Sequence, residues 1–369
     1  MNSFKSGMIV SGEDFCGRSK EISELSRLIK SNNRAYIYGE RRVGKTSLVL
    51  ETSLRLKVRP IHIDLMGIKS EDDLCRRIIK GIISYHKKSD SSLLKILKHF
   101  SSLRPSIGID PMSNLPSIGL SPSPKLDIND LESSFDVLSS MNKTFVFFDE
   151  FQDILNLQNS EQVMSVMRSK IQQINNLAFV FSGSIRNSMI DIFSREDAPF
   201  YKSSFPISLS SIERDDLINF ILNRYKALKI TITTEFIINI IDICDDIPGD
   251  IMRLCESIFF ATEDHKSKSV TDNLLGPALE HIYSLEKMAY EIIVQELSNQ
   301  QLRTLVTLAK IGNPSKVNAE FVEMSGITLV GSVNKAMKVL IKKRIVTVVD
   351  GKNKFSNPFL KSWLLTHNI

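Results

Sequence analysis

Gly39-Glu-Arg-Arg-Val-Gly44-Lys45-Thr46 decides how this chain is read. It follows the short apolar run Ala35–Tyr38 and leads into helical periodicity over Lys45–Leu56. The eight residues fit the pattern G-x-x-x-x-G-K-[ST] at every required position. A polyphosphate needs backbone N–H donors at close range, and glycines let a loop curl around such an anion. The helix opening at Lys45 aims the positive end of its dipole at the same point. Lys45 adds a point charge for the β and γ oxygens, and the Thr46 hydroxyl is an oxygen donor suited to magnesium. Glu40, Arg41, Arg42 and Val43 of the loop and Ser47 of the first turn complete the nucleotide-binding set with Gly39 and Gly44. A strand before the pattern and a helix after it is the context in which it implies a parallel α/β core.

Phe145-Val-Phe-Phe-Asp149-Glu150 supplies the second half of such a site. Four apolar residues read as a strand buried on both faces, with two carboxylates delivered at its C-terminal tip. Asp149 is expected to hold magnesium, and Glu150 to orient and deprotonate the attacking water. Apolar strands often end in solvated acids, so the pair takes its meaning from the glycine loop upstream. Phe179-Val-Phe-Ser182-Gly-Ser184 is the next such strand. Ser182 or Ser184 could reach the γ-phosphate or the lytic water, while a plain Ser-Gly turn is the competing reading.

The rest of the first two-thirds alternates strand-like and helix-like segments. Pro60–Leu65 reads as a second strand, with helices over Glu71–Tyr85 and Ser91–Phe100. Phe205–Leu209 reads as an edge strand. Between these, Arg104–Lys125 turns rich in Pro, Ser, Gly and Asn. Pro105-Ser-Ile-Gly-Ile109 and Pro116-Ser-Ile-Gly-Leu120 are near-copies around a turn-like Asp110–Leu115, the pattern of a β-hairpin excursion. After Ser210 helical periodicity takes over: Glu213–Ala227, Thr234–Asp245, Asp250–Thr262 and Thr271–Glu296. In the last stretch, helices fit Gln300–Ile311, Ala319–Ser325 and Leu329–Lys343. Strands at Ile345–Asp350 and Lys352–Ser356 then flank Asp350-Gly351, completing a winged helix-turn-helix. The expected domains are a core over 1–210 with a hairpin insertion near 104–125, a helical lid over 211–296 and a winged helix over 297–369.

Charge is unevenly spread. From Leu297 to Ile369 there are 11 Lys/Arg and 3 Asp/Glu, a net of +8 against +5 for the whole chain, leaving −3 on the preceding 296 residues. A basic end on a near-neutral body suits an acidic partner, nucleic acid being the commonest and double-stranded DNA the form a winged helix takes, with a merely solvated basic surface as the alternative. Lys335, Lys338 and Lys342 fall three and four apart on the third helix, and Lys352 and Lys354 sit on the wing, so these five are the candidate DNA contacts. In the helical lid, Pro248-Gly-Asp250-Ile-Met-Arg253 reads as a helix start with Asp250 as N-cap. Arg253, in its first turn, is a candidate reader of the γ-phosphate; an arginine on a solvated face is the ordinary alternative.

Composition excludes several classes. The opening MNSFKSGMIVSGEDF has no apolar stretch of signal-peptide length, and no run of about 18 apolar residues occurs, so no membrane span is expected. The four cysteines, Cys16, Cys75, Cys244 and Cys255, form no CxxC pair and lack histidines at ligand spacing. They read as reduced thiols of a cytoplasmic protein, with no zinc site.

These motifs together resemble the archaeal-type ATPase family of P-loop proteins, close to the STAND and AAA+ groups. The resemblance opens at Phe15-Cys-Gly17-Arg18-Ser-Lys-Glu21, runs through the glycine loop and Phe148-Asp-Glu-Phe-Gln-Asp153, and ends at Phe355-Ser-Asn-Pro-Phe-Leu-Lys-Ser-Trp363. It implies an ATPase core with the loop-bearing strand in the middle of its sheet, a helical lid, a winged helix, and Gly17 and Arg18 lying against the adenine. ATP and Mg2+ are the implied cofactors. Family members carry a Tyr-Gly-Arg segment before the last core strand; here that place reads Phe200-Tyr-Lys202, and nearby Arg195 does not replace its arginine. Two functions fit. One is an ATP-driven switch coupled to DNA engagement or assembly, as a homo-oligomer or with a protein partner. The other is a STAND-like signalling or defence switch whose winged helix regulates the core without binding DNA. The size of the chain and the winged helix argue against a small-molecule kinase.

Overall fold

The computed structural model describes residues 4–86, 105–109, 116–120, 125–184, 186–349 and 351–367. The chain divides into two compact units, one of residues 9–211 and one of residues 1–8 with 212–369.

In the first unit the apolar runs become five parallel strands: β1 (Arg34–Tyr38), β2 (Pro60–Asp64), and, after the hairpin β3 (Pro105–Ile109) and β4 (Pro116–Leu120), strands β5 (Phe145–Asp149), β6 (Ala178–Gly183) and β7 (Phe205–Ser208). Their order is β2-β5-β6-β1-β7. The loop-bearing β1 is therefore interior but not central; β6 occupies the middle, separating β1 from the acidic β5. β7 is an edge strand as expected, which is where its Pro206 can lack an N–H without breaking a ladder.

Strand residues alternate between two layers, because successive side chains leave a strand on opposite faces. Phe145 and Phe147 face α1 (Ser19–Lys30) and α2 (Lys45–Leu56), packing with Ile22, Leu25, Leu48 and Val49. Val146 and Phe148 face the other side. There α3 (Glu71–Tyr85), α4 (Ile128–Ser139), α5 (Ser160–Gln173) and α6 (Arg186–Phe193) bury Ile78, Leu131, Val163 and Met189. The inner strands β5 and β6, covered on both faces, are buried along their whole length and almost continuously apolar, as in other parallel sheets. Side-chain caps fix several helix starts. Ser70 accepts from the Asp73 N–H at α3, and Asp127 forms a capping box with Asp130 at α4.

The near-copies pair as an antiparallel hairpin, Ile109 opposite Pro116 and Pro105 opposite Leu120. The helix read over Ser91–Phe100 and the turn Asp110–Leu115 lie outside the described residues.

The second unit is helical: α7 (Arg214–Ala227), α8 (Thr234–Ile243), α9 (Pro248–Asp264) and α10 (Leu275–Gln295). One correction arises here. Asp250 is not an N-cap; Ile247 is, and Pro248 takes the first helical position, where its fixed φ and missing N–H cost nothing. Asp250 is buried inside the helix and Arg253 falls in its second turn. The chain continues through α11 (Asn299–Ile311), α12 (Ala319–Ser325), α13 (Val330–Lys342), and the wing β8 (Val346–Val349) and β9 (Lys352–Phe355). A further helix, α14 (Pro358–Thr366), packs on α8, α10 and α11. Trp363 meets the Tyr290 ring at 5.3 Å, and Lys361 lies 3.8 Å from the half-buried Asp245. These contacts explain why the winged-helix residues share one unit with the helices before them. The N-terminal residues belong to that unit too: Phe4 packs on Tyr225 and Ser6 bonds Glu256.

Candidate phosphate site

The two glycines of the loop are needed for different reasons. Gly44 has φ +91, a left-handed conformation that favours glycine, and it is the N-cap of α2. Gly39 lies so close to the chain leaving β7 that a Cβ there would overlap the Leu209 carbonyl oxygen. Between them Arg42 is also left-handed at φ 65, and both Arg41 and Arg42 are exposed. The start of α2 carries no side-chain cap among the described residues, which leaves its first N–H groups to the loop. A helix start of this kind is built for an anion.

Lys45 is buried, at 6% exposure, and its ammonium donates to the carbonyls of Gly39 (3.1 Å) and Glu40 (2.8 Å). Burial pushes its pKa down to about 8, against the opposing pull of Glu150, Asp149 and Glu40. Ser47 accepts from the Val10 N–H and so holds the N-terminal segment on α2.

Gly17 and Arg18 are consecutive left-handed residues, and the bend carries the Arg18 guanidinium under the loop. It donates to the carbonyls of Val43 (3.2 Å), Ser211 (3.2 Å) and Ser210 and pairs with Glu21. Arg18 thus staples the glycine loop to the exit of β7. Its donors go to backbone and to Glu21.

The acidic strand reaches the loop across β6. Thr46 Oγ1 donates to Asp149 Oδ2 at 2.7 Å. The other oxygen, Oδ1, accepts from Ser182 Oγ and from the Glu150 N–H at 3.1 Å. His62 Nε2, on β2, stands 3.6 Å from Oδ2 while its ring stacks on Phe147. Burial pushes the Asp149 carboxyl upward; contacts with His62, Ser182 and Thr46 outweigh it and hold the group below the ordinary aspartate range. Thr46 and Asp149 present hard oxygen donors side by side, one of them an ionised carboxylate, which is the donor chemistry magnesium takes. The residues fit that ion.

Glu150 leaves β5 in the left-handed conformation, φ 51, where the 3-10 helix Phe151–Asn156 begins. Its Oε1 accepts from Ser184 Oγ (2.6 Å) and its Oε2 from Gln152 Nε2 (2.7 Å). The two serines at the tip of β6 therefore divide their work, Ser182 on Asp149 and Ser184 on Glu150. Sequence reasoning gave no role to His62 or Gln152. Gln152 stands inside the stretch Phe148–Asp153; His62 carries no signal beyond its place in the strand Pro60–Asp64.

The remaining candidates lie in the second unit. Arg253 pairs with Glu286 and sits 5.7 Å from the Phe359 ring centroid. Glu286 also accepts from Tyr290 Oη and from Asn357 Nδ2 (2.8 Å). Burial raises the Glu286 carboxyl, and Tyr290, Arg253 and Asn357 more than reverse it. Lys335, Lys338 and Lys342 are exposed on α13, opposite its buried Val333, Ala336, Met337 and Leu340. Lys352 is exposed and Lys354 half-buried on the wing. Arg195 is fully exposed and paired with Asp197. No helix among the described residues is long and apolar enough to cross a membrane.

Residues 288–366 match a family described as a probable winged helix domain. No curated protein matches the chain. Among solved structures it is similar to a Walker-type ATPase of Pyrococcus abyssi, at 18% identity and a TM-score of 0.65, covering 98% of this chain and 99% of that one. The ORC1 protein of Aeropyrum pernix in complex with DNA follows at 12% identity and 0.54, covering 97% and 94%. The ADP form of the ORC2 protein of Aeropyrum pernix gives 13% and 0.54, covering 99% and 95%. The chain has the fold of these Walker-type ATPases: a parallel P-loop sheet, helices, and a C-terminal winged helix.

Proposed function

We propose that this chain binds and hydrolyses ATP at Gly39–Thr46 and Asp149–Glu150, and that nucleotide state governs engagement of duplex DNA by its winged helix. The single observation carrying the first part is the 2.7 Å hydrogen bond from Thr46 to Asp149, which brings the glycine loop and the acidic strand into one site across an intervening strand. The loop N–H groups and Lys45 bind the β and γ phosphates. Thr46 and Asp149 would hold magnesium, which when bound offsets the charge that gathers on the transferring phosphoryl group. Glu150 accepts a proton from water as the water oxygen bonds to the γ phosphorus and the bond to the ADP oxygen breaks. Ser182 and Ser184 keep the two carboxylates in place, and Arg253 is the proposed reader of the third phosphate.

For the DNA reading, the support is charge and position: a +8 segment with three lysines on one exposed face of α13. The ORC1 relative was solved with DNA. One observation favours a second reading. Leu329 and Val330, at the start of α13, are 67% and 51% exposed, which suits a protein contact in a signalling switch. Gel filtration with and without ATP and a duplex separates the two. ATP-dependent assembly on the duplex supports DNA coupling; ATP-dependent self-assembly without duplex binding supports the signalling switch.

A further inference from the structure

We infer that Gln152 is a positioning residue for hydrolysis, holding the Glu150 carboxylate in the plane from which it accepts a proton. The inference deepens the proposed function and rests on Glu150 being the base.

Gln152 is 5% exposed, so its amide must be satisfied internally. The Nε2 group has two N–H donors, and both are used: one to Glu150 Oε2 at 2.7 Å, one to Asp153 Oδ1 at 3.1 Å. Its Oε1 accepts from the Ser184 N–H at 3.3 Å. The side chain is thus tied to three neighbours, and its rotamer has little freedom. Asp153 is fixed in turn, because its Oδ2 accepts from the Gly67 N–H at 2.6 Å. On the β6 side, a Cβ at Gly183 would stand 2.6 Å from Gln152 Oε1 and overlap Met189, so glycine there gives the amide its room.

The effect converges on Glu150. A carboxylate has about four lone-pair sites over its two oxygens. Ser184 takes one on Oε1 and Gln152 one on Oε2. Two donors on different oxygens fix the plane of the group, and one site on each oxygen is left to accept from water. With Ser184 alone the carboxylate can swing about a single hydrogen bond. Gln152 exchanges no proton; it acts through Glu150.

The test is single-turnover ATP hydrolysis and fluorescent-ATP binding on the full chain carrying Gln152→Met, with Gln152→Leu as a second variant that also lacks the donor and adds no charge beside Glu150 and Asp153. Each is made in the wild-type and the Glu150→Gln background. Loss of one hydrogen bond to a charged group lowers the hydrolysis rate about 10- to 100-fold, with ATP affinity within about twofold. In the Glu150→Gln background the same change has no further effect, because a residue acting through Glu150 has nothing left to position. If Gln152→Met does not fold, Gln152→Leu decides. Unchanged or faster hydrolysis, a matching loss of ATP affinity, or an equal rate loss in both backgrounds overturns the inference. Glu150→Gln alone hydrolysing like wild type removes the base assignment and this inference with it. A slowed Glu150→Gln beside unaffected Gln152 variants removes the inference only.

Discussion

The strand tips of the first unit and the lysine face of α13 both carry charge, and they differ in how that charge is held. At the strand tips each charged group is met by a partner from another element: Lys45 by two loop carbonyls, Asp149 by Thr46 and Ser182, Glu150 by Ser184 and Gln152. Lys45 and Asp149 are buried and Glu150 is half-buried, so their charge is tolerated only where fixed partners meet it. On α13, Lys335, Lys338 and Lys342 stand in solvent, and none forms an ion pair among the described residues. Their position gives a sign and a face, and no geometry. A network specifies chemistry, whereas a basic face specifies only the charge of what it meets.

That contrast predicts unequal responses to substitution. The largest belongs to Lys45→Ala, which removes the buried point charge from the loop and costs about 2–5 kcal/mol of nucleotide binding; calorimetric titration with ATP and with ADP checks it. Binding within a few-fold of wild type would mean the loop N–H groups suffice alone.

Next is the salt dependence of DNA binding. Lys335/Lys338/Lys342→Ala, measured over a salt series, should shallow the log–log slope by about 2–3, since each phosphate contact contributes about 0.9. ATP hydrolysis without DNA should stay as it is. An unchanged slope would detach α13 from DNA.

A pH effect of up to about tenfold per unit is expected on ATP affinity above pH 8. The Lys45 ammonium titrates at about 8 before nucleotide arrives, and phosphate favours its charged form, so binding takes up a proton there and weakens as pH rises. The sign for folding is the opposite. Because burial disfavours the charged form, its cost to stability is fully present below pH 8 and relieved between 8 and 10.5. Flat affinity from pH 7 to 9.5 would show that Lys45 stays charged.

The smallest effect belongs to Arg253→Ala. Hydrolysis should fall several-fold with ADP affinity unchanged, because only a group that senses the third phosphate distinguishes the two nucleotides. Equal effects on ADP and ATP binding would confine Arg253 to its pairing with Glu286.

The strands were legible because burial on both faces makes them continuously apolar: Phe145–Phe148 and Leu177–Phe181 admit little else. The hairpin of near-copies was legible from its alternation. Helix α1 went unread although Ile22, Leu25, Leu28 and Ile29 recur at helical spacing, its polar face diluting the signal; α14 was visible only as a family-like stretch. Strand order is not legible: the resemblance implies β1 in the middle of the sheet, and β6 takes that place, which no local pattern encodes. In the site, residue types announced Lys45, Thr46, Asp149 and Glu150. Gln152 and His62 went unassigned because an amide and an imidazole acquire meaning only from what faces them, across turns and strands that sequence does not align. The Arg18 guanidinium bonds three carbonyls and Glu21, partners that no pattern around Gly17-Arg18 announces.

The glycine loop and the acidic strand tip are proposed to form one hydrolytic site with separate binding and chemical parts. Paired ATP binding and single-turnover hydrolysis on Glu150→Gln test it most directly. ATP affinity near wild type is expected, with hydrolysis slowed about 100-fold or more, the share a general base supplies. Loss of binding together with hydrolysis, or hydrolysis at the wild-type rate, would contradict it.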